Sequence, residues 1–220
     1  AIAWYENASI TPSLPSFTAR TITTSADGAW SVYAVDMDGD GDMDVLSASR
    51  EDDKIAWYEN DGSESFTAAT ITTSADGAWS VYAVDMDGDG DMDVLSASRE
   101  DDKIAWYENN GSESFTAHTI TSSADGAWSV YAVDLDGDGD MDVLSASSLD
   151  DKIAWYENDG SESFTAHTIT TSANNAKSVY AADVDGDGDM DVLSASVNDD
   201  KIAWFENIGL EVSGNAGFRM

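Results

Sequence analysis

The sequence contains no cysteine, and only nine of its 220 residues are lysine or arginine. The absence of cysteine excludes disulfide bonds, thiolate metal sites and cysteine nucleophiles. The few basic residues stand against 44 acidic ones and give a formal net charge of −35. Because such a charge would repel the phosphate backbone of DNA or RNA, we expect no nucleic-acid partner.

Long apolar segments are also missing. No stretch approaches the roughly 20 apolar residues that a membrane-spanning helix needs. Residues 1–20 lack the basic start and apolar middle of a signal peptide. We therefore expect a soluble chain without membrane insertion, which is compatible with a mature secreted form whose leader has been removed. The sequence does contain eight tryptophans and 42% hydrophobic residues, which favour a packed core over an acidic disordered tail.

Two motifs recur along the chain with a period of 49 residues. The sequence Ile-Ala-Trp-Tyr-Glu-Asn begins at Ile2, Ile55, Ile104 and Ile153, and recurs with Phe for Tyr at Ile202. The sequence Asp-x-Asp-Gly-Asp-Gly-Asp-Met-Asp begins at Asp36, Asp85, Asp134 and Asp183. Residues 17–65 and 66–114 differ at only two of 49 positions, which indicates recent amplification or deliberate design.

Each repeat contains four short segments typical of β-strands. They are rich in β-branched or aromatic residues and are separated by turns that contain Asp, Asn or Gly. In one repeat these segments are Trp79–Asp85, Asp93–Ser98, Lys103–Asn109 and Phe115–Thr121. No window has apolar residues at helical spacing. Four strands per repeat, with a period in the forties, predict an all-β fold built from β-propeller blades.

The repeats divide the chain into the units 25–73, 74–122, 123–171 and 172–207, followed by an irregular tail, 208–220. Residues 1–24 carry an unpaired copy of the third and fourth strands. The simplest closure lets these strands complete the last blade of a four-bladed ring. One copy of the third strand is then redundant. Either it is displaced, or it pairs with another chain, or the chain is an arc of a larger or multi-chain ring, and we expect a homo-oligomer through strand exchange.

The Asp-rich loops have the composition of a calcium site. In the loop 85–93, carboxylates at positions 1, 3, 5 and 9 can converge on one cation, because Gly88 and Gly90 permit a tight curl. Oxygen ligands in a flexible loop favour Ca²⁺. The beginning matches an EF-hand loop, but position 12 is Ser96 and the flanking segments are strands. We predict four Ca²⁺ sites and expect position 7 to contribute its backbone carbonyl. The candidate metal residues are Asp36, Asp38, Asp40, Asp42, Asp44, Asp85, Asp87, Asp89, Asp91, Asp93, Asp134, Asp136, Asp138, Asp140, Asp142, Asp183, Asp185, Asp187, Asp189 and Asp191.

With this loop and strand pattern, the repeat resembles the FG-GAP/VCBS family, the calcium-loop propeller blades of integrin α-subunit heads and of many bacterial surface and secreted proteins. The resemblance covers residues 1–207. It implies an extracellular or cell-surface scaffold with structural calcium that binds a protein or glycan ligand in adhesion. The Phe-Gly and Gly-Ala-Pro signature is absent here, and family propellers usually have seven blades, whereas this chain has four loops.

Tryptophan and arginine residues suggest a second function, carbohydrate binding. Trp30, Trp79 and Trp128 precede the first strand of three repeats, where the fourth repeat has Lys177. An exposed indole beside a polar side chain is typical of a sugar-binding pocket. The candidate ligand residues are Trp30, Trp79, Trp128, Arg50 and Arg99. Packing at the rim of the ring is the alternative interpretation of these residues.

The remaining aromatic and histidine residues do not indicate an enzyme. Trp57, Trp106, Trp155 and Trp204 recur in the third strand and are expected in the core. His118 and His167 occupy equivalent positions in a repeated strand, which is typical of packing or surface residues rather than of a unique catalytic site. No sequence motif of a known catalytic class is present. The two alternatives to a ligand-binding scaffold are therefore a lectin and a self-assembling structural protein.

Overall fold

The computed structural model describes residues 17–112 and 114–209 of the chain. These residues form strands, turns and irregular segments and contain no helix, so no helix there is able to cross a membrane. The prediction of an all-β chain is confirmed.

Within these residues, fifteen strands form four antiparallel sheets, each built from strands that are consecutive in sequence. The first sheet contains β1 (Ala29–Val35), β2 (Asp44–Ser49), β3 (Lys54–Asn60) and β4 (Phe66–Thr72). The second contains β5 (Ala78–Val84), β6 (Asp93–Ser98), β7 (Lys103–Asn109) and β8 (Phe115–Thr121). The third contains β9 (Ala127–Val133), β10 (Asp142–Ser147), β11 (Lys152–Asn158) and β12 (Phe164–Thr170). The fourth contains β13 (Ala176–Ala182), β14 (Asp191–Ser196) and β15 (Lys201–Phe205).

The second strand of each inner sheet is covered on both faces. All six residues of β6 are buried, and Leu95 lies opposite Trp106 in the register with β7. The strand begins with three larger residues and ends with the small residues Ser96, Ala97 and Ser98, so its second half can fit closely between two sheets. The hydroxyls of Ser96 and Tyr107 lie 3.3 Å apart, so the hydroxyl of Ser96 has a hydrogen-bond partner within the core.

Neighbouring sheets share their cores. Leu46, Ile55 and Trp57 of the first sheet belong to the same buried cluster as Val81 and Val94 of the second. The equivalent residues form a cluster between the second and third sheets and another between the third and fourth. Each sheet therefore depends on the next one in the chain for part of its core, as in repeat proteins generally.

The first strands of the four sheets bring a column of tyrosine rings together. The ring centroids of Tyr33 and Tyr82 lie 4.9 Å apart, those of Tyr82 and Tyr131 5.0 Å, and those of Tyr131 and Tyr180 4.7 Å. Burial is the main cause of the raised pKa of Tyr82 and of Tyr131. The phenols of Tyr82 and Tyr131 are therefore neutral at physiological pH, and these two rings make an uncharged contact between sheets.

An aspartate in each tight turn fixes the path from one sheet to the next. In the turn between β6 and β7, the carbonyl of Asp102 accepts a hydrogen bond from Ala124 N at 3.0 Å. Its carboxylate accepts another from Gly126 N at 2.8 Å. Asp53 and Asp151 make the equivalent bonds in the first and third sheets. These bonds hold the chain that enters each new sheet against the previous sheet.

The two end sheets leave core-type residues uncovered. Val32 in the first sheet is 71% exposed, whereas its equivalent Val81 is 5% exposed. Ile202 in the fourth sheet is 78% exposed, whereas its equivalent Ile153 is fully buried. The described residues thus form a row of four packed sheets, and a closed ring is not seen among them.

The expected fourth strand of the last blade is not formed by residues 17–24. These residues contain no strand, and the fourth sheet has three strands in the described part of the chain. The segment lies beside the first sheet instead, where Lys54 Nζ donates to Ser25 O at 3.0 Å. The physical reason is that residues 17–24 lie beside the first sheet in the same way as the outer strand β4 lies beside the second sheet. Residues 1–16 and 210–220, which contain the redundant third strand and most of the tail, lie outside the described residues.

Replacing isoleucines at equivalent positions tests the uncovered face. We expect Ile153→Ala to lower the free energy of unfolding by about 2–5 kcal/mol, because it leaves a cavity in the core. Ile202→Ala should change it by less than about 0.5 kcal/mol, because that side chain is exposed. The measurement is urea denaturation at a dilution at which the chain is monomeric. Equal losses in the two variants would show that the outer face of the fourth sheet is covered.

Candidate metal sites and a tryptophan–arginine cluster

Each Asp-rich loop joins the first and second strands of a sheet and is shaped by its own carboxylates. In the second sheet, the carboxylate of Asp85 accepts hydrogen bonds from Gly88 N at 2.8 Å and from Gly90 N at 3.1 Å. Both glycines have positive φ, 76° and 100°, a conformation that other residues rarely adopt. The loop therefore curls around the first aspartate, as the glycine spacing predicts.

The curl brings three carboxylates together in every loop. In each group, one oxygen atom from each carboxylate lies within 4.8 Å of the others. The groups are Asp36, Asp38 and Asp40; Asp85, Asp87 and Asp93; Asp134, Asp136 and Asp142; and Asp183, Asp185 and Asp191. Positions 1 and 3 converge in all four loops, position 9 joins them in the last three, and position 5 joins them in the first.

Position 9 of the loop is buried and connects the loop to the third strand. Asp93 has no exposed surface, and its carboxylate accepts hydrogen bonds from Met86 N at 2.9 Å and Asn109 N at 2.7 Å. Burial raises the pKa of Asp93 to about 6, and that of Asp142 to about 6 as well. Asp191 has equally little exposed surface, but the hydrogen bond from Asn207 N outweighs burial there and lowers its pKa.

Position 7 has a different neighbour. The carboxylate of Asp91 lies against Gly111, where a Cβ atom would overlap the Asp91 carboxylate. Gly111 N donates to Asn109 Oδ1 at 3.2 Å, so the turn after β7 forms a seat for this side chain. The four position 7 residues are not in the carboxylate groups; they are Asp42, Asp91, Asp140 and Asp189. Sequence reasoning missed this seat, although a glycine at the same place after each third strand was a signal for it.

The convergent carboxylates are chemically suited to a hard cation. Burial, followed by repulsion from neighbouring aspartates, raises the pKa of Asp38, Asp87 and Asp136 despite a backbone hydrogen bond that lowers it. A divalent cation would offset this repulsion. The ligand atoms are all carboxylate oxygens, and the loop has further backbone carbonyls, which together fit calcium better than a transition metal.

The three candidate tryptophans pack against one another instead of lining an open rim. The ring centroids of Trp79 and Trp128 lie 3.8 Å apart, and those of Trp30 and Trp79 lie 4.0 Å apart. Arg50 lies over Trp30 and Trp79, with Cζ at 5.9 and 5.5 Å from their centroids. Arg99 lies over Trp79 and Trp128 at 5.9 Å from each. The structure therefore gathers all five candidate ligand residues into one tryptophan–arginine cluster.

Exposure differs strongly within the tryptophan–arginine cluster. Trp79 is only 7% exposed, so its faces are occupied by other rings and by guanidinium groups. Trp30 is 53% exposed and has a free surface. Lys177, which replaces tryptophan in the fourth repeat, places Nζ 3.0 Å from the ring centroid of Trp128. Burial and the nearby charge of Arg99 lower the pKa of Lys177. The largest exposed ring surface of the tryptophan–arginine cluster is therefore at Trp30.

The histidines make the same contacts in both repeats. His118 stacks on Trp106 at 4.6 Å, and its Nε2 lies 2.9 Å from Glu108 Oε2. His167 repeats this arrangement with Trp155 and Glu157. These contacts account for both side chains by ring packing and hydrogen bonding. Of the predicted core tryptophans, Trp57 and Trp106 are almost fully buried, whereas Trp204 on the fourth sheet is 46% exposed.

Comparison with protein families identifies the repeat. The model of the FG-GAP-like repeat matches residues 1–47, 36–96, 85–145 and 134–194, so each match after the first runs from one Asp-rich loop to just beyond the next. The chain belongs to the FG-GAP-like repeat family. No curated protein matches this FG-GAP-like repeat chain.

The solved structures that resemble the chain include the following three proteins. A lectin from Agrocybe aegerita, described as recognising non-reducing terminal N-acetylglucosamine, has a TM-score of 0.54 and 18% identity over 74% of this chain. A protein from Lactobacillus plantarum has a TM-score of 0.44 and 14% identity over 74% of this chain. The Vibrio cholerae biofilm matrix protein Bap1 has a TM-score of 0.42 and 20% identity over 83%. The chain spans 46%, 51% and 31% of these proteins. The first likeness shows a shared fold.

The raised pKa values predict an unusual pH dependence of stability without metal. Asp93 and Asp142 have a pKa of about 6 in the folded chain, above the ordinary value of about 3.9. Folding therefore takes up protons between these values, and the metal-free chain should lose stability as the pH rises from 5 to 7. Calcium competes with protons for the carboxylates, so the increase in melting temperature on adding calcium should be larger at pH 7 than at pH 5. Melting curves at both pH values, with and without calcium, measure both effects. An Asp93→Asn variant should show a weaker pH dependence of the melting temperature. An unchanged pH dependence would contradict the raised pKa of Asp93.

The seat of the position 7 carboxylate can be tested with two glycines. Gly111→Ala introduces a methyl group into the Asp91 carboxylate, whereas Gly88→Ala meets no atom within 4 Å. Both positions have a positive φ, so both variants carry the same type of backbone strain. We expect Gly111→Ala to be less stable than Gly88→Ala by about 0.5–1.5 kcal/mol, because the Asp91 side chain must leave its preferred rotamer; urea denaturation of the metal-free chain measures the difference. A smaller loss for Gly111→Ala would place Asp91 elsewhere.

Proposed function

We propose that the chain is a calcium-stabilised segment of a β-propeller that acts outside the cell as a ligand-binding or adhesion scaffold. The observation that carries this proposal is the convergence of three carboxylates within 4.8 Å in the same loop of all four repeats. Membership of the FG-GAP-like repeat family supports it. The likeness in fold to a solved lectin structure is compatible with a binding role.

Calcium would have a structural task at these positions. Asp85, Asp87 and Asp93 lie close together, and Asp93 is buried while it holds the loop to Asn109 at the end of β7. Neutralising these carboxylates would strengthen the connection between the loop and the sheet. Four ions would also offset eight of the 35 excess negative charges. The loops would then be rigid, and the sheets would present side chains in fixed positions to a protein or glycan ligand.

The proposal includes no catalytic activity. A catalytic histidine needs a base, acid or nucleophile placed beside a substrate site. His118 and His167 are instead stacked on tryptophans and bound to glutamates in two equivalent copies. A repeated arrangement of this kind stabilises strand pairing in each copy.

Calcium titration tests the metal sites. We expect the metal-free chain to bind four Ca²⁺ ions at pH 7 in isothermal titration calorimetry, with a rise in melting temperature. Asp87→Asn should remove one of the four ions, because Asp87 belongs to the carboxylate group of the second loop. The matched control is Asp61→Asn, which creates the residue found at the equivalent Asn110 and lies outside the carboxylate groups. No calcium binding, or the same loss in both variants, would contradict the proposal.

A glycan ligand is the second candidate, and the tryptophan–arginine cluster favours it. Trp30 offers a half-exposed aromatic ring, and Arg50 beside it can donate hydrogen bonds to hydroxyl groups. Carbohydrate-binding sites combine an aromatic stacking surface with a polar hydrogen-bond donor in this way. The site would be unique to the first repeat, because the equivalent Trp79 is covered.

Glycan-array binding followed by titration calorimetry tests this candidate. We expect Trp30→Ala and Arg50→Ala each to weaken binding of the selected glycan about tenfold, equivalent to about 1.4 kcal/mol. Arg20→Ala is the matched control, because Arg20 is also exposed but is not part of the tryptophan–arginine cluster. A glycan that binds all three variants equally would place the site elsewhere, and an array without any binding would remove this candidate.

A further inference from the structure

The junction between the third and fourth sheets contains a cavity that the other junctions fill with phenylalanine. At the first junction, Phe115 at the start of β8 packs against Trp57 at a centroid distance of 6.5 Å. At the second, Phe164 of β12 packs into the cluster that contains Trp106. Both phenylalanines come from the outer, fourth strand of the later sheet, which the fourth sheet does not have among the described residues.

The cavity at the third junction has a volume of about 520 Å³. Its lining includes the apolar residues Trp155, Ile169, Val192 and Phe205 and the acidic residues Asp136, Asp189 and Glu206. Trp155 is the counterpart of Trp57, and it is only partly buried, whereas Trp57 is 2% exposed. The cavity thus lies where the phenylalanine of a fourth strand would pack. The edge of β15 beside it has no partner strand in the described chain. A strand edge without a partner recruits another strand, and pockets beside it select the side chains of that strand.

The sequence that fits this edge is present at the other end of the described chain. Residues 17–23, Phe-Thr-Ala-Arg-Thr-Ile-Thr, match β4 at six of seven positions. Phe17 is the counterpart of the phenylalanine that fills the other junctions, and it is 93% exposed. The segment is not paired as a strand. Every copy of the chain therefore contains, in residues 17–23, the phenylalanine and the strand sequence that the fourth sheet lacks.

Because of where residues 17–25 lie, a second copy of the chain is best placed to supply the missing fourth strand. Lys54 Nζ donates to Ser25 O at 3.0 Å, just as Lys103 Nζ donates to Ser74 O at 3.1 Å. Residues 17–25 thus lie beside the first sheet as β4 and its following turn lie beside the second sheet. A sheet that adopts this segment as its fourth strand would at the same time be covered by the first sheet of the same copy.

The uncovered faces of the two end sheets are complementary. The face of the fourth sheet exposes Ile202 and Trp204, whose counterparts Ile55 and Trp57 are buried by the second sheet. The face of the first sheet exposes Val32, whose counterpart Val81 takes part in that burial. The two halves of an interface that occurs three times within the chain are therefore both open, one at each end.

We propose that two copies of this chain associate head to tail by strand exchange. Residues 17–23 of one copy pair with β15 of the other, Phe17 fills the cavity beside Trp155, and the first sheet covers Ile202 and Trp204. The contact continues the internal packing from sheet to sheet and is heterologous, so successive copies form a ring or a filament according to the rotation between them. The proposal does not depend on calcium binding. Because both copies are strongly acidic, association should strengthen as the salt concentration rises.

Sedimentation velocity over a range of concentrations, in 0.15 M salt and excess calcium, is the first test. We expect multimers of the unmodified chain and a monomer for Phe17→Asp, with the melting temperature of the dilute chain unchanged because Phe17 is exposed. Thr21→Asp is the matched control. It adds the same charge at a position whose counterparts in the outer strands are exposed and lie opposite an alanine, and this variant should still form multimers. A monomer at all concentrations, or equal effects of both variants, would overturn the proposal.

Disulfide trapping identifies the strand pair, because the natural chain has no cysteine. In the second sheet Glu108 lies opposite Thr116, so the same register places Glu206 opposite Thr18 of the other copy. We expect a mixture of the single variants T18C and E206C to form a mixed disulfide, identified by mass spectrometry. The control mixture of T18C with S112C, in an exposed turn, should not. A double variant T18C/E206C that closes within one chain at high dilution would overturn the proposal in favour of ring closure inside a single chain. The absence of any mixed disulfide would also overturn it and would leave the edge of β15 to residues 210–220 or to another partner.

Discussion

Each sheet of this protein carries core-type side chains on both faces, so no sheet can be stable in water by itself. The second strand is the clearest case, because β6 and β10 have no exposed residue. A sheet of this kind needs a neighbouring sheet on either side, and the chain supplies one by repeating the unit. The tyrosine column and the turn aspartates hold successive units in the arrangement that satisfies this need. Each end sheet has a neighbouring sheet on one side only, and for this reason Val32 and Ile202 are exposed.

The acidic loops are connected to this packing by a small number of buried groups. Asp93 is both a member of a carboxylate group and the acceptor for Asn109 at the end of β7. Its charge therefore affects the loop and the pairing of strands at once. Asp91 makes a second connection through its seat on Gly111. For this reason the charge state of the loops and the stability of the sheets are expected to change together rather than independently.

Much of the fold could be predicted from local sequence. The predicted segments Asp93–Ser98, Lys103–Asn109 and Phe115–Thr121 agree with β6, β7 and β8, because alternation and turn residues act over a few positions. The convergence of loop positions 1 and 3 also follows from local glycine spacing. Contacts between distant residues could not be predicted in this way. Trp79 is buried by rings that come from repeats 49 residues away, and the pairing partner of residues 17–23 is not specified by neighbouring residues.

The stacked tryptophans have an optical consequence. Trp79 and Trp128 lie 3.8 Å apart with their planes inclined by 33°, and each ring comes from a different sheet. Indole rings at this distance share their excited states, and a pair with a fixed, non-parallel orientation produces a circular dichroism couplet. The couplet requires two sheets in their native arrangement, whereas the far-ultraviolet strand signal requires only strands within one sheet. The chain therefore contains an intrinsic spectroscopic probe that distinguishes separation of the sheets from melting of the strands.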